Sequence, residues 1–234
     1  CLVLNPMNIL VIAHRVPFPP NKGEKIRTFY QIKHLAQNNH KVSVACLVES
    51  DEDEVHLQTL REQYCHSVYQ ASLPGKLAWP KSFLQAEPVS VANFYNRRLQ
   101  QQIDKAIIEE NVDVILCTSS SLADYVFKSV VLKRMNNGPA LLMDFMDLDS
   151  DKWRQYADQS SFPKSWIYSR ESRLLGAVER RVCEHFDAAF FISHNEVELM
   201  RPRSGSGYSN VHVIANGIDA EEFSPLQLAD ESVK

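Results

Sequence analysis

Short apolar runs alternate with longer amphipathic stretches along the whole chain. The first run, 8–14 (NILVIAH), is apolar almost throughout, the mark of a strand covered on both faces. A helix is predicted over 24–38, where Ile26, Phe29, Tyr30, Ile32 and Leu35 recur at helical spacing and define an inner face. The second strand covers 41–47 (KVSVACL). Asp51, Glu52, Asp53 and Glu54 then open a helix at the end where its dipole favours negative charge, with Val55, Leu57 and Leu60 facing inward. A third strand falls near 67–71, and Pro74, Pro80 and Pro88 break the pattern over 73–94. Alternation resumes with a helix over 96–110, a strand over 112–117, a helix near 121–132 and a strand over 140–145. A helix starting at Ser150, a long one over 164–185, a strand over 188–193, a short helix from Asn195 and a last strand over 211–215 complete the series. About seven strands separated by helices predict one α/β domain, a Rossmann-like doubly wound parallel sheet.

Composition narrows the function classes. The 234 residues are 44% hydrophobic and 23% charged, an ordinary globular balance, and the net charge of −4 leaves no footprint for nucleic acid. The apolar runs are strand-sized, short of the roughly 20 residues of a transmembrane helix. No basic stretch leads into an apolar core near the N-terminus, so a cytoplasmic chain is expected. Cys1, Cys46, Cys65, Cys117 and Cys183 are scattered and odd in number, which fits a reducing compartment better than a disulfide framework or a zinc site.

Open parallel sheets bind ligands beyond the C-terminal ends of their strands. Three such segments carry unusual chemistry. After the first strand comes His14-Arg15-Val16-Pro17-Phe18-Pro19-Pro20-Asn21-Lys22-Gly23-Glu24-Lys25-Ile26-Arg27, which lacks the dinucleotide GxGxxG. Gly23 at the helix entry lets a ligand approach free amides, and Lys22, Lys25 and Arg27 add cations; the same loop also reads as a rigid proline cap. After 140–145 comes an acidic run containing Asp144, Asp147, Asp149 and Asp151, suited to sugar hydroxyls, a base or a metal. Asp149 or Ser150 is expected to cap the next helix, leaving another acid in the cleft. Third, Asn216-Gly217-Ile218-Asp219 reads as a tight turn with Asp219 as a cap. Glu171 and Glu179, eight apart on the long helix, read as a solvated face.

The stretches HRVPFPPNKGEKIR (14–27), MDFMDLDSDKW (143–153), RESRLL…ERR in the long helix and VIANGID (213–219) together resemble glycosyltransferase family 4. Within it they are most similar to bacterial sugar transferases of exopolysaccharide and PEP-CTERM loci, over Met7 to about Pro225. That resemblance implies the N-terminal, acceptor-side half of a retaining GT-B enzyme, spanning 1–225, with 226–234 starting the linker to a donor-binding domain not contained in the sequence. It implies a nucleotide-sugar donor, a saccharide or lipid-linked acceptor and no metal. Separately, the aromatic and basic residues Trp79, Lys81, Phe83, Lys164, Trp166, Tyr168, Arg170 and Arg173 suit weak peripheral contact with an anionic surface such as the inner membrane. Carried onto this chain, Gly23 faces the donor phosphates, His14, Glu24, Lys25, Arg27 and Asp144 line the substrate, and Asn216, Gly217 and Asp219 form the junction. Many relatives place a histidine after the strand ending at Phe145; here Asp147 stands nearest and becomes the candidate catalytic group. The alternatives are a stand-alone sugar- or nucleotide-binding module and a GT-B nucleotide-sugar epimerase.

Overall fold

The computed structural model describes residues 5–74, 80, 82, 86–204 and 208–217. The strands are β1 (Asn8–Ala13), β2 (Lys41–Val48), β3 (Ser67–Ser72), β4 (Val114–Cys117), β5 (Ala140–Met146), β6 (Ala188–Phe191) and β7 (Val211–Val213). They form one sheet in the order β3-β2-β1-β4-β5-β6-β7, and every pairing is parallel. The helices are α1 (Gly23–Gln37), α2 (Asp51–Gln63), α3 (Val89–Phe94), α4 (Arg97–Glu109), α5 (Asp124–Phe127), α6 (Asp149–Asp158), α7 (Lys164–His185) and α8 (His194–Ser204).

The apolar run of β1 shows why the sheet is doubly wound. Its residues alternate between faces. Ile9, Val11 and Ala13 join Phe29 and Ile32 of α1 and Leu57 and Leu60 of α2 in one core. Leu10 and Ile12 join Leu99, Ile103 and Ile107 of α4 and Val182 of α7 in the other. Cys46 and Cys117 are buried among these side chains, as expected of small hydrophobes. The chain winds outward from β1 to β3 and then returns to β4 on the other side of β1. The strand order therefore reverses between β1 and β4, which opens a crevice at their C-terminal ends.

Several local expectations are corrected. Val55 is 67% exposed, because it stands two residues from Leu57 and so on the opposite side of α2. Ile26 is 40% exposed, in the first turn of α1 at the strand ends, where the sheet no longer covers it. The single helix near 121–132 is instead a 3-10 turn over Ser120–Leu122, the short α5 and another 3-10 turn over Leu132–Arg134. Ser119 Oγ takes the Ser121 amide, a local bond that competes with helix formation.

The largest correction concerns α7. Glu171 is 2% exposed and Glu179 is 0% exposed. Glu171 accepts the amides of Val89 and Ser90, each at 2.8 Å, and the Ser90 hydroxyl at 2.6 Å. Glu179 accepts the Ser150 amide at 2.9 Å and the Ser150 hydroxyl. These carboxylates sit on the first-turn amides of α3 and α6, where the dipole favours negative charge and the backbone lacks partners of its own. The expected self-cap of α6 is absent accordingly: its N-cap is Leu148, without a side-chain bond, and the Leu148 amide goes to Glu196 at 2.7 Å.

Candidate functional site

A cavity of about 450 Å³ lies at the β1–β4 crevice. Loops from five strand ends build it: His14 and Arg15 after β1, Thr118 and Ser119 after β4, Met146 and Asp147 at the end of β5, Ile192 after β6 and Asn216 after β7. Gly23, Glu24 and Arg27 of α1 close one side, and Asp149 and Lys152 of α6 the other.

Gly23 opens α1 and faces this space. Its backbone does not demand glycine, and a Cβ there would meet nothing within 4 Å. The preceding Lys22 makes no side-chain cap, so the first-turn amides of α1 remain available toward the cavity. Arg27 is nearly buried and forked. It donates to both oxygens of Asp144, at 2.6 and 3.1 Å, and to Asn216 Oδ1 at 2.8 Å. Asp144 also accepts from Gln31 at 2.5 Å, is almost wholly buried, and does not line the cavity. It therefore holds Arg27 rather than meeting solvent. Arg15 bridges Glu24 at 3.3 Å and Glu49 at 2.7 Å. Lys25 is half-buried and lies outside the cavity lining. Gly217 is exposed beside Asn216, and Asp219 lies outside the described residues.

β5 ends in a kink. Met146 has φ of 61°, the register with β6 shifts between Asp144 and Met146, and the Asp147 amide returns to the Phe145 carbonyl at 2.8 Å. This is a three-residue γ-turn in its strained, left-handed form. It places Asp147, exposed, on the wall of the cavity that Gly23 also lines, with no hydrogen bond to its carboxylate from the described residues. Two residues on, Asp149 opens α6. Its only partner among the described residues is the Ser120 hydroxyl, at 3.4 Å. Burial raises its pKa to about 6; Lys152 opposes this, while Asp147 and Glu196 reinforce it. His14 packs edge-on against Phe94 with ring centroids 4.8 Å apart. Burial, helped by Arg15 and opposed by Glu24, lowers its pKa to about 4, so it is neutral at pH 7.

Sequence reasoning thus brings His14, Gly23, Glu24, Arg27, Asp147 and Asn216 to one cavity and misreads Asp149 as a cap. It passes over Thr118, Ser119, Lys152 and Ile192, although each follows a strand or opens a helix at the same end of the sheet. Strand-end position alone was the available signal for them. Among the described residues, no group of three His, Cys, Asp or Glu side chains converges to hold a metal, and no helix is long and apolar enough to cross a membrane. Of the residues offered for membrane contact, Trp79, Lys81 and Phe83 lie outside the described residues. Lys164 and Arg173 are exposed and Trp166 is 56% exposed, but Arg170 is turned to the carbonyls of Ser82 and Glu87, at 2.9 and 3.3 Å.

No family model and no curated protein matches the sequence. Among solved structures, the chain is similar to sucrose-phosphate synthase from Thermosynechococcus elongatus, with a TM-score of 0.57 and 13% identity over 94% of this chain and 50% of that one. It is also similar to a putative UDP-N-acetylglucosamine 2-epimerase from Listeria monocytogenes (TM-score 0.48, 14% identity, 89% of this chain and 44% of that one). The lipopolysaccharide outer core galactosyltransferase WaaB, in its apo form, gives 0.48 and 16% over 91% and 46%. At these identities the likeness concerns fold, and it is carried by sucrose-phosphate synthase. The chain is an α/β domain whose seven-stranded parallel sheet matches half of a GT-B structure, and it spans about half the length of the structures it matches.

Proposed function

We infer that this domain is the acceptor-side half of a glycosyltransferase resembling family 4, which moves a sugar from a nucleotide-sugar to a saccharide or lipid-linked saccharide with retention. Exopolysaccharide assembly in the cytoplasm, with the domain at the inner-membrane face, is the setting this reading favours. The observation that carries it is the position of Gly23: an uncapped helix start with space where a Cβ would be, lining one cavity with Asp147. Open amides at a helix N-terminus suit a diphosphate, and a carboxylate facing them suits the hydroxyl that attacks beside it. Neutral His14 and the Arg27 fork line the same space and orient rather than neutralise a sugar. In this reading residues 1–225 form the domain, 226–234 begin a linker, and Asn216, Gly217 and Asp219 form the junction to a second domain that supplies most donor contacts.

Each charged hydrogen bond to a donor is worth about 1.5–3 kcal/mol, so a domain lacking several of them holds a donor poorly. The test is transfer from a panel of nucleotide-sugars, comparing the product of the full reading frame with residues 1–234 alone. The longer protein is expected to transfer sugar and the 234-residue chain is not. Robust turnover by the chain alone removes the two-domain reading.

A further inference from the structure

Beside the strand-end cavity lies a smaller one of about 200 Å³. The two share His14, Phe94, Ser119, Asp149 and Lys152, so they adjoin across those side chains. Trp153 and Tyr156 of α6 and Ser90 of α3 supply much of the remaining wall.

The chemistry of this space is mixed in a particular way. Phe94 and Trp153 offer aromatic surface. Trp153 is half-buried, and its ring is braced by Tyr156 at 5.9 Å and Tyr168 at 5.4 Å between centroids. Next to them stands Asp149, whose Oδ1 takes no hydrogen bond from the described residues and whose Oδ2 takes only the long one from Ser120. Lys152 has no ion pair among the described residues. A half-buried carboxylate with a single long hydrogen bond is costly, and a ligand carrying several hydroxyls would complete it. The same ligand would need an apolar face for the aromatic wall. A sugar ring has both, its C–H face flat and its hydroxyls at the rim.

The wall is also built in advance. Glu171 holds the start of α3, which carries Ser90 and Phe94, and Glu179 holds the start of α6, which carries Asp149, Lys152, Trp153 and Tyr156. Ser172 adds a bond from its hydroxyl to the Ser150 carbonyl at 2.7 Å. Two helices with no contact along the sequence are thus fixed against a third, α7, and a cavity between them keeps its shape without ligand.

We propose that the smaller cavity is a subsite for one pyranose ring of the acceptor, stacked on Trp153 with its hydroxyls donating to Asp149. It rests on the reading of the larger cavity as the transfer site, since the ring would then present a hydroxyl across Asp149 toward the donor. His14, Asp147, Lys152 and Glu196 are the titratable groups around that carboxylate, and only Lys152 favours its ionised form. Ring binding through the carboxylate should accordingly weaken about tenfold between pH 7 and pH 5 as Asp149 gains its proton.

The experiment titrates the methyl pyranosides of glucose, galactose, mannose and glucuronic acid onto the isotope-labelled chain and follows the indole N–H of Trp153 by NMR, with Trp166 as internal reference. A monosaccharide of this size binds with a Kd on the order of millimolar, so titration runs to about 100 mM. At least one pyranoside is expected to shift Trp153 and leave Trp166 in place. Asp149→Asn should weaken that response about tenfold and remove its pH dependence, and Lys152→Met should weaken it by a smaller factor. Amide spectra confirm that each variant is folded. A Trp153 signal indifferent to every pyranoside overturns the subsite, and so does a response that survives Asp149→Asn unchanged. A Trp153 response in a protein whose full reading frame turns over no nucleotide-sugar supports the subsite and removes the transferase reading; turnover with a silent Trp153 overturns the subsite alone.

Discussion

Two sets of carboxylates lie within one end of this domain, and they are treated oppositely. Asp144, Glu171 and Glu179 sit below the rim of the cavity, almost fully buried, with every oxygen accepting a hydrogen bond: Asp144 from Arg27 and Gln31, Glu171 from two amides and a hydroxyl, Glu179 from Ser150. Asp147 and Asp149 sit on the rim itself, and the one hydrogen bond either carboxylate takes among the described residues is the long one from the Ser120 hydroxyl to Asp149. A buried charge survives by being paired, so the first set is spent on holding helices and loops in place. The second set leaves its acceptor capacity facing the cavity, where a ligand can use it. Position after the same strand does not separate them, for Asp144 and Asp147 are three residues apart. What separates them is the kink at Met146, which turns the chain from the interior to the cavity.

The comparison breaks most sharply at Asp147. If the rim carboxylates act on substrate, Asp147→Asn in the full-length protein should lower turnover by roughly 10²–10⁴-fold while folding stability changes by less than about 0.5 kcal/mol. Steady-state rates read beside thermal melts decide it; a melt that drops with activity following the folded fraction moves Asp147 into the structural set.

The opposite pattern is expected below the rim. Glu179→Ala strands the Ser150 amide and hydroxyl in the interior, and each buried unsatisfied group costs about 1–3 kcal/mol. Chemical denaturation should show a loss on the order of 3 kcal/mol. A loss under about 1 kcal/mol would mean that α6 does not depend on this carboxylate.

Asp149 gives a third test, with a sign of its own. Its pKa rises on folding from 3.8 to about 6, so the native state binds the proton more tightly than the unfolded chain. Stability is fullest below pH 4 as far as this group is concerned, falls as pH rises toward 6 and is level above it. Asp149→Asn should therefore stabilise the chain above pH 6, by up to about 3 kcal/mol, and the gain should vanish near pH 4. Denaturation of both proteins across that range checks it. An Asn variant less stable than the parent at pH 7 would make Asp149 a paired, structural acid after all.

The sheet was legible because its strands are buried on both faces and so appear as apolar runs that helices interrupt. The strand-end loops were legible through Gly23, the prolines and the acidic run. The functions of individual acids were not. Glu171 and Glu179 have the spacing of a solvated helix face, and only their partners, more than twenty residues away in sequence, reveal them as caps. Asp149 looks like an N-cap from its neighbours, but the helix starts one residue too early for that: Leu148 is the N-cap, and its carbonyl already takes the Asp151 and Lys152 amides. Val55 failed for a simpler reason: its hydrophobicity was counted without its angle around the helix.

The central claim is that the crevice between β1 and β4 receives a donor diphosphate at the start of α1, and Gly23→Val tests it most directly. The chain itself leaves the space beyond Gly23 empty, so the valine variant should fold with a melting temperature close to that of the parent. In the full-length protein it should lose sugar transfer by at least about tenfold, since displacing a phosphate from one charged hydrogen bond already costs about 1.5 kcal/mol. Transfer at the parental rate by a folded Gly23→Val protein would contradict the account.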